Sequence, residues 1–231
     1  MANSKKILFA FDFDRTMIDF NSDGWFLEKT DQSFEDSSYT CWTDFMQSVF
    51  KLLHSRGLTE EQIKSGLGQV KILPAVKTAC DVIAESDKAD SIVISDANVY
   101  NINHILNANG MGTWFKDIVS NPASFDDKGM LTIQYYHQKG HSCPNCPPNL
   151  CKKDVLADYL TKYDKIVYVG DGHNDICPSL GLSARDVVIA RKGYYMANHI
   201  NDSGTLKASL HIVEFDDNIV KIVQDILLQS N

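Results

Sequence analysis

At 231 residues, 44% of them apolar and 23% charged, the chain has material for one large hydrophobic core, or for a core carrying a modest insertion. A formal net charge of −8 with no basic stripe excludes the electrostatic footprint of a nucleic-acid binder, and no run approaches the ~18 apolar residues of a membrane span. The acidic balance suits a cationic or metal-carrying ligand as well as it suits plain solubility.

Lys5-Lys6 ahead of Ile7-Leu8-Phe9-Ala10-Phe11 looks like the start of a secretory leader. The apolar run stops at Asp12, however, and no small-residue cleavage site follows, so the expected compartment is the cytoplasm. There the six cysteines (Cys41, Cys80, Cys143, Cys146, Cys151 and Cys177) are expected as thiols or metal ligands rather than disulfides. The run 7–11 reads as a buried parallel strand, closed by acidic residues. From 23 to 72 no strand-like run occurs. The stretch reads as helices, with Thr59-Glu60-Glu61-Gln62 as a capping box, and an insertion directly after the first strand falls over the carboxyl ends of the sheet, where ligands bind.

A helix is expected over 74–85, with Pro74 in its first turn, followed by a strand at 91–95 ending in Ser95-Asp96 and a helix over 99–109 stopped by Gly110. Residues 123–136 alternate about Asp126-Asp127-Lys128-Gly129 and suggest a β-hairpin, and the Pro- and Cys-rich stretch 141–151 is expected as a loop. Beyond it come a helix over 152–162, strands at 165–169 and 186–190, a weaker strand at 210–214, and a helix over 217–228. Strands alternating with helices imply an α/β fold with a Rossmann-like, mostly parallel sheet and helices on both faces. The expected division is a core of 1–22 with 73–231, and a helical cap of 23–72.

Asp12-Phe13-Asp14-Arg15-Thr16 leaves the first strand with two carboxylates that can be aimed at one pocket. Carboxylates this close repel each other unless a cation separates them or one stays protonated, and Mg²⁺, a hard ion preferring oxygen, resolves the conflict. The competing reading is an acidic strand-to-loop turn capped by Thr16. Three further fragments favour the first reading. Ser95 brings a hydroxyl and an amide to the same sheet edge, Lys152 opens a helix with an ammonium, and Gly170-Asp171-Gly172-His173-Asn174-Asp175 combines a tight turn with another oxygen ligand.

This series resembles the four signatures of haloacid dehalogenase phosphatases. More closely, it is similar to the phosphoethanolamine/phosphocholine phosphatase family, which also includes pyridoxal phosphate phosphatases. The likeness runs through Phe11-Asp12-Phe13-Asp14, Asn21-Ser22-Asp23, Ile94-Ser95-Asp96-Ala97-Asn98, His141-Ser142-Cys143 with Cys146-Pro147, Asn149 through Lys152, and Tyr168 through Gly172. His173 departs from the family, where Ala is commoner. The resemblance implies that Asp12 is the nucleophile and forms an aspartyl-phosphate, and that Asp14 is general acid and base. It implies that Mg²⁺ is held by Asp12, the Asp14 backbone carbonyl and Asp171 with Asp175 in support, and that Thr16, Ser95 and Lys152 clamp the phosphate. A small phosphorylated metabolite is the implied partner. Asp23 and Asp96 are implied substrate contacts, suited to the ammonium of phosphoethanolamine or phosphocholine. Their alternative employment is as caps, Asp96 for the helix from Val99 and Asp23 for the first cap helix.

Trp25, Phe26, Tyr39 and Trp42 form either a cation–π wall or simply the cap's core. Pyridoxal 5′-phosphate and inorganic pyrophosphate are the alternative substrates. A catalytically silent phosphometabolite-binding protein is the reading from another class, and it is at odds with the presence of both Asp12 and Asp14. His141, Cys143, Cys146 and Cys151 have the ligand types of a structural zinc site, although Pro144, Pro147 and Pro148 restrict how the loop wraps. A redox-sensitive thiol loop and a merely packed loop remain alternatives.

Overall fold

The five residues of the first strand are apolar and all are buried, the pattern of a strand covered on both faces. In the computed structural model, which describes residues 7–35 and 37–229, this strand β1 (Ile7–Phe11) lies in the middle of a sheet. The Lys5-Lys6 pair and the outermost ends of the expected core lie outside the described residues. In chain order there follow α1 (Gly24–Leu27), α2 (Trp42–Ser55), α3 (Glu60–Leu67), α4 (Pro74–Ala84), β2 (Ala89–Asn98), α5 (Val99–Ala108), β3 (Asp117–Asn121), β4 (Ala123–Phe125) and β5 (Leu131–Ile133). The chain then forms α6 (Lys152–Ala157), β6 (Lys165–Gly170), a 3₁₀ turn (His173–Asp175), α7 (Ile176–Leu180), β7 (Val187–Arg191), α8 (Tyr195–His199), β8 (Ser209–Val213) and α9 (Asp217–Leu228).

Six strands pair in the order β3-β2-β1-β6-β7-β8, every pair parallel. The fold is therefore the α/β, Rossmann-like sheet expected from the alternation of runs. Side chains alternate across it. Phe9, Phe11, Val167, Val169 and Ile189 join an apolar cluster with α4, α5, α9 and the helices of 24–67, whereas Leu8, Ala10, Ile92, Ile94, Ile166 and Val188 face α6, α7 and α8. After β1 the chain builds β2 and β3 to one side, and later β6, β7 and β8 to the other. The order thus reverses between β1 and β6, and such a switch opens a crevice at the carboxyl ends of the strands. Asp12 sits at its edge, its N–H donating to the Val169 carbonyl at 2.8 Å.

The elements described between 24 and 67 are the three helices α1, α2 and α3, joined by turns and loops, and the Thr59 capping box is present, with Thr59 Oγ1 accepting from Gln62 N–H and Gln62 Oε1 from Thr59 N–H. The hairpin at Asp126 forms but packs on α2 rather than on the sheet. Ile133 N–H donates to Gln47 Oε1 at 2.8 Å, and Tyr135 O–H to Asp44 at 2.6 Å. The helix expected over 152–162 ends as α6 at Ala157, because the Leu156 carbonyl is shared by the N–H groups of Tyr159 and Leu160 and the chain continues in turns. β2 outruns its expected end and carries Ser95 and Asp96 within it. Its pairing with β3 is irregular between Ile94 and Asn98, where Asn121 Nδ2 donates to the carbonyls of Asp96 (2.7 Å) and Ala97 (3.0 Å). Among the described residues no helix is long and apolar enough to cross a membrane.

Candidate active site

A pocket of about 370 Å³ opens at the carboxyl ends of β1, β2 and β6, within the range of small-molecule sites. Asp12, Asp14, Asp23, Asp96 and Asp171 all line it, with Arg15, Trp42, Pro147 and His173. Lys152, Asp175, Thr16 and Ser95 are buried and do not line it.

The floor is a buried charge network. Lys152 Nζ lies 2.7 Å from Asp12 Oδ1 and 2.7 Å from Asp175 Oδ1. Burial works against the ammonium, but Asp12 and Asp175 outweigh it and hold Lys152 protonated above its usual range. Burial, then the Asp175 charge, pushes the Asp12 carboxyl well up, and Lys152 opposes them. Asp175 is the hub. Its Oδ1 also accepts from the Tyr168 hydroxyl at 2.6 Å, and its Oδ2 from the N–H groups of Asp171 (2.9 Å) and Gly172 (2.8 Å). Gly170 makes room for it, since a Cβ there would stand 2.5 Å from Asp175 Cγ. Burial and then Asp175 raise Asp171 to about 6, and Thr16 Oγ1 donates to its Oδ1 at 3.1 Å. The Thr16 hydroxyl, expected on the phosphate, is thus hydrogen-bonded to a carboxylate. Ser95 Oγ accepts a long bond from Ala97 N–H at 3.3 Å.

Asp14 belongs to a different environment. Burial, then the Asp23 charge, raises it to about 8, while the Ser22 N–H (2.8 Å) and hydroxyl (3.2 Å) donate to it. Arg15, next in the turn, has a left-handed φ of 58°. Asp23 stands at the start of α1 without capping it by its side chain. Its carboxylate accepts instead from Trp42 Nε1 at 2.8 Å and Asn101 Nδ2 at 3.2 Å, and burial raises it to about 6. Nor does Asp96 cap the next helix, because Asn98 does so by accepting from Asn101 N–H at 2.9 Å. Both carboxylates are left facing the pocket. Of the cap aromatics, Trp42 lines the pocket and Phe26 is buried in the core.

Oxygens of Asp12, Asp171 and Asp175 come within 4.8 Å of one another. The donors are buried, all oxygen, and answered by one ammonium, so the set fits a hard divalent cation. Both Asp175 oxygens are already engaged by protein donors. Apart from this floor, the Sγ atoms of Cys143, Cys146, Cys151 and Cys177 converge to within 4.8 Å of one another. His141 Nε2 lies 2.8 Å from the Pro147 carbonyl, and its ring also comes within 4.8 Å of Cys151 and Asp154, whereas the fourth member of the thiol set is Cys177. Ser22, Asn101, Asn121, Tyr168 and Cys177 act here without a role assigned to them from sequence. Only contacts made across the fold single them out.

Residues 7–229 match the family described as Putative Phosphatase. Pyridoxal phosphate phosphatase PHOSPHO2 of Homo sapiens is 40% identical over 82% of this chain and 83% of its own length. Inorganic pyrophosphatase 2 of Arabidopsis thaliana is 34% identical over 98% and 86%. Phosphoethanolamine/phosphocholine phosphatase of Gallus gallus is 32% identical over 98% and 92%. Among solved structures, a phospho-aspartyl intermediate analogue of phosphoserine phosphatase superposes with a TM-score of 0.65 at 16% identity, covering 95% of this chain and 99% of that one, a likeness of fold.

Proposed function

The chain belongs to the Putative Phosphatase family and is a phosphatase of the haloacid dehalogenase superfamily, and on that premise we propose that it hydrolyses a small phosphomonoester through an aspartyl-phosphate on Asp12. The observation that carries this reading is the different setting of two neighbouring carboxyls, both raised by burial. Asp12 is ion-paired to Lys152 at 2.7 Å, whose charge favours the carboxylate against burial, whereas Asp14 meets the Asp23 charge instead and is held up at about 8. A cation beside one carboxyl and an anion beside the other suit a nucleophile and a proton donor.

In the proposed sequence an Asp12 carboxylate oxygen attacks phosphorus as the ester P–O bond breaks, and the Asp14 carboxyl gives its proton to the departing alcohol oxygen. Asp14, now ionised, takes a proton from a water whose oxygen attacks phosphorus. The Asp12 O–P bond breaks, and inorganic phosphate leaves. Lys152 balances charge on Asp12 and, with Ser95, on the phosphate. Thr16 orients Asp171. Asp12, Asp171 and the Asp14 carbonyl would hold Mg²⁺, which when bound neutralises charge between nucleophile and phosphate. Residues 23–72 serve as the cap of a core formed by the rest.

For the substrate, Asp23 and Asp96 are carboxylates on the pocket wall that the phosphate chemistry does not use. They suit an ammonium, selected by sign of charge, and with Trp42 beside Asp23 they support phosphoethanolamine or phosphocholine. Pyridoxal 5′-phosphate is the second reading, favoured by the name of the 40%-identical human relative. Pyrophosphate fits less well, because a polyanion meets five carboxylates there. The six unpaired thiols suit the reducing cytoplasm, the proposed location.

The test is phosphate release from phosphoethanolamine, phosphocholine, pyridoxal phosphate, pyrophosphate and phosphoserine, with Mg²⁺ and with chelator, against Asp12→Asn. Preference for the amino-alcohol esters, lost in Asp23→Asn, is expected. Preference for pyridoxal phosphate would replace the substrate and keep the mechanism. Absence of any Asp12-dependent release would overturn both.

A further inference from the structure

The four converging thiols come from three parts of the chain. Cys143 and Cys146 lie in the loop 141–151, Cys151 immediately precedes Lys152 at the start of α6, and Cys177 lies in α7, two residues after Asp175. Their Sγ atoms are all within 4.8 Å of one another, Cys143 and Cys177 at 3.5 Å. An ion about 2.3 Å from each of four tetrahedral sulfurs sets sulfur–sulfur separations of roughly 3.8 Å, so the thiols already stand near the corners such an ion demands. The Cys-x₂-Cys and Cys-x₄-Cys spacings are short enough for one loop to supply three ligands.

The loop is held otherwise by His141, whose Nδ1 accepts from Cys143 N–H at 3.2 Å and whose Nε2 lies 2.8 Å from the Pro147 carbonyl. Residues 142–148 belong to no helix or strand, and Ser142, Pro144, Asn145, Pro147 and Pro148 are exposed. Yet Pro147 lines the catalytic pocket, and the segment leads directly into Lys152. A structural metal stabilises a segment of this kind, since the energy of binding adds to that of folding.

We infer that Cys143, Cys146, Cys151 and Cys177 bind one structural Zn²⁺ that fastens the pocket loop and α6 to α7. Binding forms four Zn–S bonds and releases the four thiol protons. The ion lies apart from the proposed Mg²⁺ position, and it ties together the two elements that bring Lys152 and Asp175 to the floor. The inference does not rest on the identity of the substrate.

The test is elemental analysis of the purified, reduced full chain after dialysis against Mg²⁺, followed by replacement with Co²⁺. One zinc per chain is expected, retained in Asp171→Asn. The cobalt form should show thiolate-to-metal charge transfer and tetrahedral d–d bands. Cys177→Ser should lose most of that absorption and bind zinc at least tenfold more weakly, whereas Cys80→Ser, altered at a buried thiol elsewhere, should match the parent. Should Cys177→Ser not fold, the cobalt spectrum of the parent chain still decides. A reduced chain that takes up neither metal in one-to-one ratio overturns the inference. So does a Cys143–Cys177 disulfide found by peptide mapping in place of zinc, or iron as the resident metal.

Discussion

Asp14 illustrates how one side chain's surroundings set a pH profile. Its folded value of about 8 arises first from burial and then from Asp23, opposed by the two Ser22 bonds. The acid that protonates a leaving group is the protonated form. It is present below that value and lost as pH rises through it, so kcat/KM of the free enzyme should fall on an alkaline limb near 8. Removing the Asp23 charge makes Asp14 easier to ionise, and Asp23→Asn should move the limb to lower pH. Ser22→Ala removes the hydroxyl donor to the ionised form, leaving the backbone N–H, and should move it to higher pH. A limb that stays in place in both variants would show that Asp14 is not the titrating acid. Asp14→Asn should lower kcat by about 10²- to 10⁴-fold. The motif made Asp14 legible in the sequence. Ser22 was not, because a small polar residue eight positions on becomes its partner only when the turn folds back, and the fates of Asp23 and Asp96 depended on Trp42, Asn98 and Asn101 in the same way.

Among elements, the turn from β6 into α7 does most to assemble the floor. Gly170 needs no left-handed backbone. What it supplies is space, because a Cβ would lie 2.5 Å from the carboxyl carbon of Asp175. Asp175 cannot retreat without releasing Lys152, Tyr168 and two backbone N–H groups at once. Gly170→Ala should therefore cost about 1–3 kcal/mol of stability, as overpacking does, and lower kcat by more than tenfold with a smaller change in KM. Unchanged kcat, measured alongside thermal unfolding, would count against Asp175 as the hub. The strands that build this floor were readable because β1 and β6 are buried on both faces and so run continuously apolar. β3 escaped notice because it is an edge strand whose first residues are half-buried or exposed. The five-residue helices α7 and α8 escaped because they complete too few turns for a 3.6-residue period to register.

Across the whole molecule, folding gathers carboxyls that resist ionisation. Burial raises Asp23 and Asp171 to about 6 and Asp14 to about 8, from an ordinary value of 3.8. A group whose folded pKa lies above its unfolded one contributes stability at pH below the unfolded value, and that contribution is lost as pH rises through the folded value. The chelated protein should accordingly lose thermal stability from about pH 4 upward until about pH 8, the interval those raised values define. A divalent cation on Asp12 and Asp171 reverses part of the loss, because it binds only the folded, ionised site. At a hundredfold excess over its Kd the gain is about 2.7 kcal/mol, or roughly 5–10 °C in Tm for a chain of this size. The gain should be larger near pH 8 than near pH 5.5, where protons compete for the same oxygens. It should be much reduced in Asp171→Asn, while zinc on the thiols, if already bound, contributes equally to both proteins. Thermal unfolding with Mg²⁺ against chelator, at both pH values and in both proteins, measures each part. A Mg²⁺ shift that is the same at the two pH values, or that survives in Asp171→Asn, would place the cation away from these carboxylates.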